Sequence, residues 1–412
     1  MSTDDAQTLR RVIGLTLLVF YGVGVTVGAG IFALIGEIVA IAGDNAAWSF
    51  LLAGVIAGCT GISYALLAGV YPRAAGEAFY VTLGLGPGWG RAAGLAMVVV
   101  GTVSSAVIAL AFTGYVADLM PVSRAPLTVA LIVLLAFIAF IGVRESVLFA
   151  AAITVLELGT LVVVVFGGFP FLIGSGAEQS AGPAIVSSAP VAILAGALVA
   201  FFAFIGFEDI ENLAEETINP HRTLPLAIIL TLVITVTIYV LLAMVAVAIP
   251  DRSGLVNSEA PMRFVFESVT DLDGSAISGI AALAMVNGIL VQMIMASRIL
   301  FGMARDGLIP GWLALLHPER RTPMTAILCV AAAISLCVLA FPLLGLAQAA
   351  SLATLSVFGL VNIALWRIGR RPDAHPRLAR WHPWGLLAAG LCGFLFGAEI
   401  WRLLATQTGG LH

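Results

Sequence analysis

The chain has 412 residues, 61% of them hydrophobic and 10% charged, with a mean hydropathy of +1.09. Soluble domains carry about 25% charged residues, so the solvent for most of this chain is lipid, which excludes a secreted disulfide scaffold, a nucleic-acid binder and a disordered regulator. The net charge of −4 carries no argument about partners, because charges at opposite ends of a membrane protein do not act as one field. All 19 basic residues are Arg and no Lys is present, which rules out any mechanism that needs a Lys amine.

A membrane-crossing helix requires about 20 mainly apolar residues. On that ruler the sequence predicts an all-α integral membrane protein with eleven spans, at residues 13–35, 47–70, 92–117, 126–143, 147–173, 189–213, 224–249, 275–300, 323–341, 346–367 and 384–404. Residues 1–12 precede them as a polar tail without a cleavage pattern, read as cytoplasmic and not as a signal peptide. Cytoplasmic connections are enriched in Arg. With the N-terminus inside, fifteen Arg fall on the inner side and four, Arg124, Arg252, Arg263 and Arg402, on the outer. This count and the inside N-terminus support each other and place the C-terminus outside.

The first segment holds Gly22, Gly24, Gly28 and Gly30 within nine residues, and each glycine weakens a helix by up to about 1 kcal/mol relative to Ala. The helix is predicted to open near Gly28 to Gly30. Gly24 and Gly28 also form a small-xxx-small pair suited to close helix packing, which leaves Gly28-Ala29-Gly30 unexplained. A dinucleotide-binding loop is not expected, since no strand or βαβ unit accompanies these glycines.

Glu157 lies well inside the fifth segment, where a charged group costs at least a few kcal/mol. A protonatable coupling group, a hydrogen-bonded structural carboxyl and part of a cation site are all compatible with it. In the sixth segment the run Phe201-Phe202-Ala203-Phe204-Ile205-Gly206-Phe207 turns abruptly into Glu208-Asp209-Ile210-Glu211. An open turn over Ala203 to Phe207, with the carboxylates on the first turn of a new half-helix where the dipole favours them, accounts for the change. Glu208 and Asp209 point about 100° apart, so dipole and gate roles are expected rather than paired-carboxylate catalysis. Glu211, Glu215 and Glu216 are expected to pair with inner-side Arg such as Arg73 or Arg298.

Interrupted segments one and six head two consecutive sets of five helices, residues 13–173 and 189–367, with 384–404 as an additional helix. Five is odd, so the second set has inverted topology, and inverted repeats with matching broken helices point to a secondary transporter with its site between the breaks. In the eighth segment Asn287 and Gln292 interrupt an apolar run and are candidates to contact a substrate side chain or to bond between helices. The four cysteines, Cys59, Cys329, Cys337 and Cys392, are expected to pack as small hydrophobes. His221, His317, His375 and His382 are placed in polar connections, so no histidine relay is expected. Glu399 has Arg402 three residues on, a local pair.

Gly28-Ala29-Gly30-Ile31-Phe32 and Tyr71-Pro72-Arg73-Ala74-Ala75-Gly76-Glu77-Ala78-Phe79-Tyr80 resemble the amino acid–polyamine–organocation (APC) superfamily, which includes the amino acid permeases. Phe202-Ala203-Phe204-Ile205-Gly206-Phe207, Ala214-Glu215-Glu216-Thr217, Asn219-Pro220-His221-Arg222, Leu224-Pro225, Ser297-Arg298 and Met303-Ala304-Arg305-Asp306-Gly307-Leu308-Ile309-Pro310 extend the resemblance over roughly residues 10–370. Many members have a twelfth helix, whereas eleven are expected here.

The resemblance implies a five-plus-five, LeuT-like core working by alternating access. It implies that amides of Ala29 and Gly30 meet the substrate carboxylate and that carbonyls of Thr26, Phe202, Ala203 and Ile205 meet its ammonium. Gly28 and Gly30 would keep that approach free of side chains, and Ile31, Phe204 and Phe207 would wall the pocket, Phe207 as a gating aromatic. Sodium-independent relatives often carry Lys at the place of Glu157. The expected function is thus a secondary active permease for amino acids in the inner or plasma membrane, sodium-independent, working by proton symport or by exchange (antiport). The expected partners are an amino acid, the bilayer and protons, with no nucleic acid, cofactor, metal or enzymatic activity. A cationic amino acid or polyamine carrier is the runner-up, and a membrane sensor that binds an amino acid without moving it is the alternative from another class.

Overall fold

The computed structural model describes residues 11–28, 30–73, 76–141, 147–173, 189–317, 320 and 322–409. Among them the regular structure is helical: α1 (Leu15–Val27), α2 (Gly30–Ala42), α3 (Ala46–Val70), α4 (Gly76–Leu85), α5 (Pro87–Leu119), α6 (Arg124–Ile141), α7 (Val147–Ile173), α8 (Ala189–Phe202), α9 (Pro220–Ala248), α10 (Arg252–Asn257), α11 (Pro261–Thr270), α12 (Ser275–Arg305), α13 (Met324–Ala340), α14 (Leu343–Gly369) and α15 (Pro376–Gly409). Among the described residues nine stretches are long and apolar enough to cross a membrane, and Leu15–Val27 and Met324–Ala340 are shorter apolar helices. The chain is a multi-pass membrane protein.

Each predicted segment has a helical counterpart, and the differences lie at the ends. The first segment runs on to Ala42 and the eighth to Arg305. The last begins at Pro376, so Arg377, Arg380 and His382 are helical and not in a connection. His221 likewise sits in the first turn of α9, its Nδ1 2.9 Å from the Gly69 carbonyl oxygen. Proline at or next to the first helical position favours such early starts. Helices α4, α10 and α11 have no predicted counterpart because each is at most ten residues long, too short for a hydropathy ruler set by bilayer thickness. Residues 1–10 and 142–143 of the predicted tail and fourth span lie outside the described residues.

The two predicted interruptions are present and central. Helix α1 ends at Val27 and α2 begins at Gly30; α8 ends at Phe202 and a 3-10 helix, Phe207–Leu213, continues the sixth segment. Residues 195–207 are all buried. Around this centre α5 packs along α12 and α3 along α9. The outermost helices leave large apolar side chains uncovered, Val133 on α6 at 61% and Leu336 on α13 at 66%, as a lipid-facing surface requires. The four cysteines are free.

On the Arg-rich face the chain entering α1 pairs with the chain leaving the sixth segment: Val12 and Ile13 amides donate to the Glu216 carbonyl at 2.9 and 3.0 Å, and Ile218 N donates to Ile13 O at 2.9 Å. The entry of segment one and the exit of segment six are thereby one mechanical unit. On the opposite face Arg263 of α11 reaches Glu267 at 2.8 Å, Asp118 at the end of α5 at 2.5 Å and Asp273 before α12 at 3.6 Å. Asp251 caps α10, accepting from Gly254 N and Ser253 Oγ at 2.8 Å, and those donors hold its carboxyl below the usual range.

Small residues set the helix spacing. A Cβ on Gly168 of α7 would lie 2.3 Å from Val245 Cγ1 of α9, so these helices approach as closely as glycine permits. Overpacking of this kind costs about 1–3 kcal/mol. Gly168→Ala is expected to lower the thermal unfolding midpoint of the detergent-purified protein, and adding Val245→Ala to recover most of the loss.

Candidate functional site

The two helix breaks touch through their backbones. A Cβ on Gly30 would fall 2.4 Å from Ala203 Cα, and one on Gly206 3.0 Å from the Val25 carbonyl oxygen. Gly206 has φ +125°, a conformation that side chains disfavour, so the second glycine is needed for its backbone as well as for the close approach. Its amide donates to Glu208 Oε2 at 2.8 Å. Glu208 therefore folds back to cap the turn, while Asp209 accepts from Asn212 Nδ2 at 3.0 Å. The two neighbouring carboxylates serve different partners, as their angular separation predicts.

Between the breaks lies a cavity of about 30 Å³ lined by Val25, Thr26, Gly30, Ser104, Ile108, Phe202, Ile205, Gly288 and Gln292. It has room for a water or two but not for an amino acid. Two of its polar groups, Ser104 Oγ and Gln292 Oε1, are buried without a hydrogen-bond partner. Groups in that condition cost about 1–3 kcal/mol each and are the ones a bound zwitterion could satisfy.

Of the residues singled out in the sequence, Thr26, Gly30, Phe202, Ile205 and Gln292 meet at this cavity. Ala203 lies against Gly30 just behind it, and Gly28 closes α1, its amide donating to Gly24 O at 2.9 Å. Ala29 lies outside the described residues. Ile31, Phe204 and Phe207 do not wall the cavity. Ile31 is fully buried in the core. Phe204 packs on Tyr239, ring centroids 5.1 Å apart, and Phe207 on Tyr64 and Phe358, at 5.6 and 5.3 Å. A flat ring beside an opened turn fills helix–helix space as readily as it faces a ligand, and here the bulk is used for packing. Asn287 is half-buried and does not line the cavity.

The expected set of free carbonyls is mostly occupied. Phe202 O accepts from Ile205 N at 3.1 Å. The Tyr239 hydroxyl of α9 lies 3.0 Å from Thr26 O and 2.9 Å from Ala203 O. One hydroxyl proton serves two carbonyls, one on each break, so Tyr239 ties the two interruptions together. The expected pairing of Glu211 with Arg73 or Arg298 is not formed: the Arg73 guanidinium stacks 5.2 Å from the Phe79 ring, and Glu211 has Tyr80 and Glu77 as its neighbours.

Glu157 is 2% exposed, and its Oε2 has no hydrogen-bond partner. It sits one turn from Thr154, whose Oγ1 occupies the space a Cβ on Gly24 of α1 would take. Among the described residues no group of three or more His, Cys, Asp or Glu converges as a metal site. Sequence reasoning missed Ser104 and Tyr239. The adjacent pair Ser104-Ser105 in an apolar segment was a readable signal; a lone tyrosine in an apolar helix carries none.

A family model described as amino acid permease matches residues 12–409. An uncharacterized transporter of Mycobacterium tuberculosis is 32% identical over 377 residues, covering 89% of this chain and 82% of the relative. A branched-chain amino acid permease of Bacillus subtilis is 26% identical over 410 residues, 91% and 84% of the two chains. A vacuolar cationic amino acid transporter of Arabidopsis thaliana is 28% identical over 386 residues, 89% of this chain and 64% of the relative.

Tyr239→Phe removes the one donor shared by the breaks. The loss expected is about 1–3 kcal/mol of stability from the stranded carbonyls, read by thermal unfolding, together with at least a tenfold fall in binding of radiolabelled L-leucine or L-arginine, whichever the wild type retains.

Proposed function

Since the chain belongs to the amino acid permease family of the APC superfamily and is a membrane amino acid transporter, we propose that it moves small neutral amino acids by alternating access, driven by a proton gradient or by exchange. The observation that carries this reading is the meeting of two opened helices around a cavity with uncommitted polar groups. The first turn of α2 offers amides and the positive end of a helix dipole to a carboxylate, while Gln292 Oε1 and the Ile205 carbonyl can accept from an ammonium. Residues 13–173 and 189–367 serve as inverted repeats, with α15 outside them. Because the cavity holds about 30 Å³, too little for an amino acid, a substrate fits only when segments one and six move apart from the rest of the bundle.

Among the described residues the cavity lining contains no carboxylate, and Glu208 is committed to the Gly206 amide. A cationic side chain would find no counter-charge there, so this reading takes the neutral substrate class over the cationic one that some relatives are named for. The Arg-rich face is assigned to the cytoplasm, in the inner or plasma membrane.

Glu157 is assigned the coupling proton. It is buried, and no Lys exists in the chain to pair with it. Thr154, one turn away on α7, packs against Gly24 of α1, so a change of charge at Glu157 acts where α7 holds segment one. A proton bound from the outer side and released inside would tie substrate movement to the pH gradient.

Uptake of a panel of radiolabelled amino acids into proteoliposomes tests the reading. L-Alanine and L-leucine are expected to accumulate in preference to L-arginine, faster when the outside is acidic. Glu157→Gln is expected to leave a pH-independent rate. Binding without uptake or exchange in either direction would make the protein a sensor, and an unchanged pH profile in Glu157→Gln would remove the coupling role.

A further inference from the structure

Where the sixth segment leaves the bundle on the Arg-rich face, three carboxylates gather without a cation. Glu208 and Glu211 stand on the 3-10 helix Phe207–Leu213, 3% and 1% exposed, and Glu77 stands in the first turn of α4. Glu211 Oε2 lies 4.0 Å from the place of a Cβ on Gly76, the first residue of α4, with Glu77 as its neighbour. Neither carboxylate oxygen of Glu211 has a hydrogen-bond partner. Tyr64 of α3 links the two elements: its hydroxyl donates to Glu77 Oε1 at 3.3 Å, and its ring packs on Phe207 with centroids 5.6 Å apart. The Tyr80 hydroxyl donates to the Tyr71 carbonyl at 3.3 Å.

The helices packed on this 3-10 helix are α1, α3, α4 and α9. Helices α1 and α3 carry no charged residue and bring the tyrosines Tyr21 and Tyr64. Helix α4 brings Glu77 and Tyr80. Helix α9 brings His221, whose Nδ1 lies 2.9 Å from Gly69 O, and Arg222, which is exposed. Arg73 is stacked on Phe79, Asp209 holds Asn212, and Glu215 and Glu216 add only negative charge further along the chain. Among the described residues no ion pair includes Glu77, Glu208 or Glu211. The positive end of α4 favours one anion beside it. It does not offset a second, and buried carboxylates set side by side cannot all ionise.

We propose that the Arg-rich face closes on a proton: Glu77 of α4 and Glu211 of the sixth segment share one when packed together, and give it to water on that side when they part. This rests on the alternating-access reading above and adds a step to it. Closing takes carboxylates from two elements out of water, so it requires a proton; opening hydrates them, so the proton leaves. Burial raises the Glu77 carboxyl above the ordinary carboxylate range, the direction that a proton-holding closed form requires. The packed form is therefore favoured at low pH and lost as pH rises through that raised value. Glu157 lies on α7 and takes no part in this gate.

Hydrogen exchange in nanodiscs, followed by mass spectrometry on peptides covering Gly76–Leu85 and Phe207–Leu213 and corrected for intrinsic exchange, tests the gate without requiring transport. From about pH 6 to about pH 8, exchange in both peptides is expected to rise at least tenfold, the factor that one released proton yields per pH unit. Glu77→Gln mimics the protonated carboxyl and is expected to keep both peptides protected throughout. Glu211→Gln is expected to do the same, and Glu77→Asp to retain the pH dependence. Unchanged exchange in α5 shows that each variant is folded. Glu157→Gln is expected to keep the wild-type profile, which separates the gate from the coupling residue. A wild-type profile flat with pH, or a pH-dependent one that Glu77→Gln and Glu211→Gln leave unchanged, would overturn the shared proton. Protection that follows sodium concentration at fixed pH would assign the carboxylates to a cation and overturn it as well. A protein that neither takes up nor exchanges amino acids, yet keeps the pH-dependent protection, would contradict the transport reading and leave the shared proton in place.

Discussion

Backbone polar groups that leave a helix inside a membrane have no water to turn to, and each one left unsatisfied costs several kcal/mol. This chain opens two helices at that depth and brings the openings into contact, Gly30 against Ala203 and Gly206 against Val25. The surrounding structure answers the resulting debt of hydrogen bonds group by group. Glu208 takes the Gly206 amide, Ile205 N takes the Phe202 carbonyl, and Tyr239 faces the Thr26 and Ala203 carbonyls together. Two side chains that line the cavity between the breaks, Ser104 and Gln292, each keep a buried oxygen without a hydrogen-bond partner.

A structure that satisfies most of its opened backbone with a few movable donors is suited to changing state. The Tyr239 hydroxyl has one proton for two carbonyls, so it holds the breaks together without fixing which of them it serves. Glu157, one turn from the Thr154 that packs against Gly24 of α1, has no ion-pair partner among the described residues. The pairing of Ile13 with Thr217 and Glu216 on the Arg-rich face binds segment one to segment six, so a rearrangement at the centre carries both interruptions as a unit. In this account the chemistry of the coupling lies on α7, and the movement lies in the broken helices.

Much of this was legible in the sequence because glycine and charge are scarce and expensive in lipid. Gly28 to Gly30 and the Phe207-Glu208 boundary announce the breaks. Glu157 stands out for the same reason. Aromatic residues gave no such guidance: Phe204 and Phe207 sit beside a break yet fill helix packing, whereas Tyr239, unremarkable in its apolar run, holds the centre. Helix ends were misjudged where hydropathy and helical structure part company. The amphipathic start of α15 at Pro376 is too polar for a span and still helical, and α4, α10 and α11 are too short for any bilayer ruler. The cavity itself depends on how side chains interlock, which residue spacing does not encode.

The central claim is that an amino acid sits between the two breaks. Ser104 lines that cavity and is small, so a cysteine there reports occupancy without filling the space. With the four native cysteines replaced, alkylation of Ser104→Cys by a small thiol reagent would be followed with and without saturating L-leucine or L-alanine. Ser123→Cys, exposed in the connection before α6, serves as the control. The account predicts that the transported amino acid slows labelling at position 104 several-fold and leaves position 123 unchanged. Equal labelling at 104 with and without the amino acid, in a variant that still transports it, would contradict the account.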